Sequence, residues 1–214
     1  MIDKDQDTRQ IYEKIKLKMK YDYMRAQTDR VHKGLDSLQA AFALSQRTDL
    51  DKMGFLQQVV NILGKSFKIK AVTIGLRGVD GNYRYLVMSG IRDETWNFVM
   101  TIVYTEADFG ESSIYKGSMI SKLSKMCLAE DLPSPEREKE GFNRPFIVGI
   151  KRRSPEDWIE GDYLDVQIRG TRGNLLGWIE IIGTNDGKIP DVTTVKFLET
   201  FAEIIAGRIE SRRT

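Results

Sequence analysis

The chain has 214 residues but only one cysteine, one histidine and five prolines. A lone thiol, Cys127, cannot close a disulfide within the chain, which fits a reducing compartment. A lone imidazole, His32, excludes schemes that need two histidines and any His-rich metal site. Charge of one sign is also missing: 33 Lys and Arg stand against 31 Asp and Glu, a net charge of +2. Bulk charge therefore gives no pointer to nucleic acid. No run approaches the roughly 18 apolar residues of a membrane span. The first twenty residues are polar and mixed in charge, unlike a signal peptide. The expectation is a cytoplasmic protein that engages neither membrane nor nucleic acid. No complete acid/base or nucleophile set is apparent, so no catalytic residue and no metal ligand is assigned.

Hydrophobic residues make up 41 % of the chain, enough for a substantial core. The clearest pattern lies near the C-terminus. Leu164, Val166 and Ile168 alternate with Asp165, Gln167 and Arg169, the period of two of a half-buried strand. Glycines and an asparagine fill 170–174, residues that tolerate the positive φ of a turn. A second strand is expected from Leu175 to Ile182, with Ile179 and Ile181 on one face and Trp178, Glu180 and Ile182 on the other. Asp191 is a helix N-cap candidate, and Val195, Leu198, Ala202, Ile205 and Ile209 recur at helical spacing. This stripe can cover the hairpin or meet a partner.

Residues 1–48 form a separate unit. Leu17, Tyr21, Met24, Thr28, Val31, Leu35, Leu38 and Phe42 alternate at spacings of four and three, the a/d seam of a coiled coil. The stripe can pack on its own domain or pair with a second copy, and its persistence favours the pair. Gly34 costs about 1 kcal/mol inside such a helix. After a break at 46–49, Asp49 or Asp51 can cap a helix with Phe55, Leu56, Val59, Val60 and Leu63 on its apolar face. Strands are expected over 69–76 and 83–89, with Tyr83, Tyr85 and Val87 sharing a face, followed by a short helix through Trp96 and Met100. The stretch 118–128 is ambiguous between helix and strand, and 146–150 reads as a short strand.

The order of strand, Gly turn, Leu175-Leu176-Gly177-Trp178-Ile179-Glu180-Ile181 strand, turn, and a helix with Leu198-Glu199, Phe201-Ala202, Ile205-Ala206 and Ile209-Glu210 resembles the C-terminal half of a GAF domain, the small-molecule sensor module of signalling proteins. The front half, from residue 49, matches more loosely. The resemblance implies an α+β fold: an antiparallel sheet of five to six strands flanked by helices, here with a long N-terminal helix. It divides the chain into 1–48, an amphipathic helix, and 49–214, a GAF-like sensory domain. It implies a non-catalytic module that binds a small molecule in its middle region and signals through dimerised terminal helices to a downstream signalling protein. The alternative is a ligand-free dimerisation or interaction module, recognisable by a pocket filled with its own aromatic side chains.

The segment from Met126 to Asp165 is also similar to sensory domains of methanogenic archaea, some of which carry haem on a cysteine. That resemblance makes Cys127 the candidate cofactor residue and haem a candidate ligand; free cysteine more often packs as a small hydrophobe. Trp96, Tyr104, Tyr115 and Trp158 are candidates for the wall of a pocket for a flat ligand. Lys151, Arg152 and Arg153 are candidates for an anionic group. Departures from the family narrow the chemistry. The Asn-Lys-x-Phe-Asp-Glu signature of cyclic-nucleotide-binding GAF domains is absent. Leu128, not a histidine, follows Cys127, unlike phytochrome-type domains. A methionine-sulfoxide reductase of this fold needs a second thiol.

Overall fold

The structure, a computed structural model, describes residues 14–19, 30–131, 138 and 151–211. Four helices, α1 (Arg30–Gln46), α2 (Lys52–Ser66), α3 (Asp93–Val99) and α4 (Val192–Ser211), accompany six strands: β1 (Val72–Arg77), β2 (Tyr83–Ser89), β3 (Ser118–Met119), β4 (Ser124–Cys127), β5 (Tyr163–Arg169) and β6 (Leu175–Ile181). Residues 14–19 are helical and exposed. The strands form one sheet in the order β2-β1-β6-β5-β4-β3, with every pairing antiparallel. The ambiguous 118–128 stretch resolves as the β3–β4 hairpin. The strand expected at 146–150 lies outside the described residues.

One face of the sheet carries the main core. Val72, Ile74 and Leu76 of β1, Leu164, Val166 and Ile168 of β5, and Ile179 and Ile181 of β6 point to this face by alternation and are buried. The apolar side of α2 (Phe55, Leu56, Val59, Val60 and Leu63) and that of α4 (Leu198, Phe201, Ala202 and Ile205) cover them. Burying a large apolar side chain stabilises by about 1.5–3 kcal/mol, so these two helices hold the domain together. Asp51 caps α2, its side chain accepting from the Gly54 amide at 2.7 Å. Asp191 serves α4 in the same way, accepting from Thr194 at 2.8 Å, and also pairs with Arg30.

One expectation changes here, and one open alternative is decided. Val87 does not share a face with Tyr83 and Tyr85: Ile74 pairs with Val87 but Gly75 pairs with Tyr85, a β-bulge that turns Val87 to the helix side and the tyrosines away. The α4 stripe meets the sheet rather than a partner, because the hairpin it follows needs its apolar face covered.

Helix α1 packs on α4 and α2 through Gly34, Ser37, Ala41 and Ser45 rather than through the heptad stripe. Small residues let the helix axes approach closely. A Cβ at position 34 would stand 2.2 Å from the Phe197 ring, so glycine is required there by contact. The expected seam turns outward: Val31, Leu35 and Phe42 are 43, 48 and 58 % exposed, and only Leu38 packs partly against the core. Tyr21, Met24 and Thr28 lie outside the described residues.

Candidate functional site

The opposite face of the sheet is not a solvated polar surface. Trp178 of β6 and Tyr83 and Tyr85 of β2 project from it, and α3 with the following segment brings Trp96, Val99, Ile102, Tyr104, Phe109 and Tyr115 over them. Trp178 is the hub, with ring centroids 5.0 Å from Tyr85, 5.1 Å from Phe109 and 5.8 Å from Tyr104. Gly75 makes the hub possible: a Cβ there would meet the indole at 2.2 Å. Offset and edge contacts of this kind add about 0.5–1.5 kcal/mol per pair beyond area burial.

Polar groups are buried with the rings. Tyr85 donates to the Glu180 carboxylate at 2.9 Å, and Tyr83 to the Leu175 carbonyl at 3.1 Å. Tyr104 donates to Glu138 at 3.1 Å, Tyr115 donates to the same carboxylate oxygen, and Glu138 itself is buried. Strand register sets a continuous row across four strands: Lys125 opposite Asp165, Asp165 opposite Glu180, Glu180 opposite Thr73. The Lys125 ammonium donates to the Tyr115 carbonyl at 2.6 Å. Asp165 Oδ1 and Thr73 Oγ1 are sealed from solvent and make no hydrogen bond. Burial first, and then the neighbouring Glu180 carboxylate, push the Asp165 carboxyl well above the usual carboxylate range. Desolvation, again the leading cause, raises the Tyr85 and Tyr104 phenols, so both stay protonated donors.

Cys127 pairs with Tyr163 in the register of β4 and β5 and has no exposed surface. Burial pushes its thiol up to about 12, so at neutral pH it is a neutral SH group rather than the thiolate that metals and electrophiles require. Trp96 and Tyr115 join the ring cluster, as does Tyr104. Trp158 does not: it packs partly buried against the helix-side core, its amide donating to the Gly187 carbonyl at 2.9 Å. His32 is exposed on α1. Arg152 is engaged by the buried Asp162 at 2.7 Å and by Glu130 at 2.9 Å, so the shallow groove of about 360 Å³ that it lines with Leu128, Arg153, Ser154 and Pro155 does not present its charge to an anion. Gly64-Lys65-Ser66 resembles the end of a phosphate loop, but it closes the C-terminus of α2, where orphan carbonyls repel anions. Among the described residues no group of three or more His, Cys, Asp or Glu can hold a metal ion, and no helix is long and apolar enough to cross a membrane.

The sheet order, the three helices on one face and the enclosed aromatic face on the other decide the fold. The chain has the GAF fold. Solved structures that share it include the GAF domain of an Acinetobacter phosphoenolpyruvate-protein phosphotransferase, at 14 % identity over 84 % of this chain and 93 % of that one, with a TM-score of 0.53. The corresponding GAF domain from Coxiella burnetii matches at 16 % identity, 86 and 96 % coverage and a TM-score of 0.55. A phycoerythrobilin-bound GAF domain from a cyanobacterial phytochrome matches at 10 % identity, 82 and 93 % coverage and a TM-score of 0.54. No family model matches the sequence, and no curated protein does. The likeness rests on tertiary structure and is one of fold.

Asp165, Glu180, Thr73 and Glu138 were not legible as site residues. Asp165 and Glu180 occupy the polar positions of alternating strands, which ordinarily means solvent. One signal was available: Trp178 shares its face with Glu180, and an indole beside a carboxylate indicates that the face is covered.

Proposed function

We propose that this GAF domain is a non-catalytic sensory module that encloses a small ligand on the aromatic face of its sheet. Its terminal helices carry the response to a partner signalling protein. The observation that carries this reading is the Asp165–Glu180 pair. Asp165 Oδ1 is sealed without a hydrogen-bond partner inside an otherwise aromatic layer, which disfavours a purely structural role, because burying a polar group unpaired is costly.

A route from that face to the helices is built in. Glu199 on α4 accepts from the Leu123 amide at 2.7 Å and from the Ser124 and Ser121 hydroxyls at 2.9 and 3.1 Å, tying the β3–β4 hairpin to the C-terminal helix. Farther along α4, Arg208 donates to the carbonyls of Arg47 and Leu50, where α1 passes into α2. Displacement of β4 by a ligand therefore moves α4 and α1 together. The outward stripe Val31, Leu35 and Phe42 supports a homodimer joined along α1. Sedimentation analysis tests it: a dimer is expected, and a monomer at high micromolar concentration removes that half of the reading.

A second reading, a ligand-free interaction module, is favoured by the density of ring contacts around Trp178. The two separate in a thermal-shift screen against a library of cell metabolites. Reproducible stabilisation by at least one compound supports the sensor, and silence across the library supports the module. Haem tethered at Cys127 is the ligand these surroundings favour least, since the thiol is sealed and neutral. Addition of haem under oxidising and reducing conditions is expected to give no Soret band that depends on Cys127; a band lost in Cys127→Ala reverses that.

A further inference from the structure

The row Lys125–Asp165–Glu180–Thr73 specifies a ligand chemistry, on the reading that this face is a ligand chamber. Two oxygens of the row, on the two strands that flank β6, have no hydrogen-bond partner: Asp165 Oδ1, and Thr73 Oγ1 on a threonine with no exposed surface. Sealed polar oxygens without partners are rare in folded proteins; the carboxyl oxygen calls for a donor, and the hydroxyl can accept from the same group. Lys125, at the end of the row, does not supply it: its ammonium reaches the Tyr115 carbonyl, and Asp165 Oδ1 has no hydrogen-bond partner. Aromatic rings stand beside the row: Tyr85, which donates to Glu180 at 2.9 Å, is in ring contact with Trp178 at 5.0 Å, and Trp96 meets Tyr85 at 6.3 Å from a half-buried position.

We propose that Thr73, Asp165 and Glu180 form the floor of a site for a small organic cation, a protonated amine, whose N–H groups meet these acceptors and whose charge faces the rings of Trp178, Tyr85 and Trp96. Neighbouring carboxyl groups that cannot both ionise unless a cation joins them set the sign of the charge, and aromatic faces attract cations. A hard metal ion fits poorly, since it requires about six or more oxygen ligands and rings supply none. An anion meets two carboxylates. A buried water needs two to four polar partners, and it is the competing occupant.

The test uses the full chain and two isosteric series: phenethylammonium and n-butylammonium, against phenethyl alcohol, n-butanol and 3-phenylpropionate, all at millimolar concentration. Melting temperature and calorimetric affinity are read. At least one amine is expected to raise the melting temperature, and the alcohols and the carboxylate to leave it unchanged. Thr73→Val and Asp165→Asn are each expected to weaken amine binding at least tenfold while the circular dichroism spectrum stays as in the parent. Should Asp165→Asn fail to fold, Thr73→Val, which keeps the side-chain shape, carries the test alone. Alcohols that match the amines, amines that are silent as a buried water would make them, or variants that keep full affinity each overturn the cation site. A neutral or anionic metabolite that stabilises the protein while the amines are silent overturns the cation site and leaves the sensor reading standing. Silence from both the amines and the metabolite library defeats both.

Discussion

The two faces of this sheet are covered by layers built on opposite principles. The helix-side layer is aliphatic with a few phenylalanines, covered by helices whose ends are capped and whose apolar stripes are continuous. The other is assembled from tyrosines and tryptophans with hydroxyls on buried carboxylates, and its described cover consists of one short helix, a 3-10 turn and loops. Aliphatic packing is non-directional and tolerant of composition. A buried polar network is directional, and leaving one member unpaired is costly. The first layer is suited to holding a shape. The second is suited to discriminating between occupants.

This contrast can be broken or sharpened by mutation, and the largest effect is expected on the helix side. Phe201 has no exposed surface and packs its ring edge-on to Phe67. Phe201→Ala should cost about 3–5 kcal/mol in chemical denaturation; a loss below about 1 kcal/mol would show that this layer tolerates cavities and that the contrast is wrong. Glu199→Ala, which removes the acceptor for three donors of the β3–β4 hairpin, should cost about 1–3 kcal/mol. Hydrogen exchange should be faster over 118–127 and little altered in α2. Uniform exchange changes would deny Glu199 its role as the link.

Asp165 gives the opposite sign. Its carboxyl is raised by burial and by Glu180, with Lys125 opposing; among the described residues Tyr163, Cys127 and Tyr85 are the other titratable groups around it. A raised carboxyl binds its proton more tightly in the folded chain. The stability it contributes is full below the unfolded value near pH 4 and is lost as pH rises through the folded value. Asp165→Asn removes that loss. It should flatten the fall in melting temperature above about pH 4 and stabilise by about 1 kcal/mol at neutral pH. A variant less stable than the parent at every pH would mean that the carboxylate is satisfied in solution. The smallest effect on folding belongs to the α1 stripe: Leu35→Glu with Phe42→Glu should change unfolding free energy by no more than about 0.5 kcal/mol per site while converting a dimer to monomers in sedimentation.

Legibility followed the same division. Helix-side residues were readable because covered strands and helices display their periods: Phe55, Leu56, Val59, Val60 and Leu63, and the alternation at 164–168, stand where the spacing put them. The bulge at Gly75 was not, since a one-residue slip alters no composition, yet it reassigns Val87 from one face to the other. Trp96 and Tyr115 were legible as aromatic candidates and meet in the cluster, whereas Trp158 was equally plausible and packs elsewhere. Nothing local distinguishes the three. Gly34 illustrates the limit well: as a helix residue it reads as a weakness, and against Phe197 it is the residue that allows contact.

The sequence by itself determined the α+β class, the order of the elements outside 118–128, the helix cap at Asp191 and the resemblance to GAF domains. These depend on neighbours within a few positions along the chain, where hydrogen-bond geometry and apolar period act directly. Tertiary structure alone decided that the α1 stripe faces outward and that the α4 stripe faces in. It also decided that Cys127 is sealed, and that Asp165, Glu180 and Thr73, separated by up to about a hundred residues, share one row. Antiparallel register brings such residues within side-chain reach, and no local rule records which strands will be neighbours.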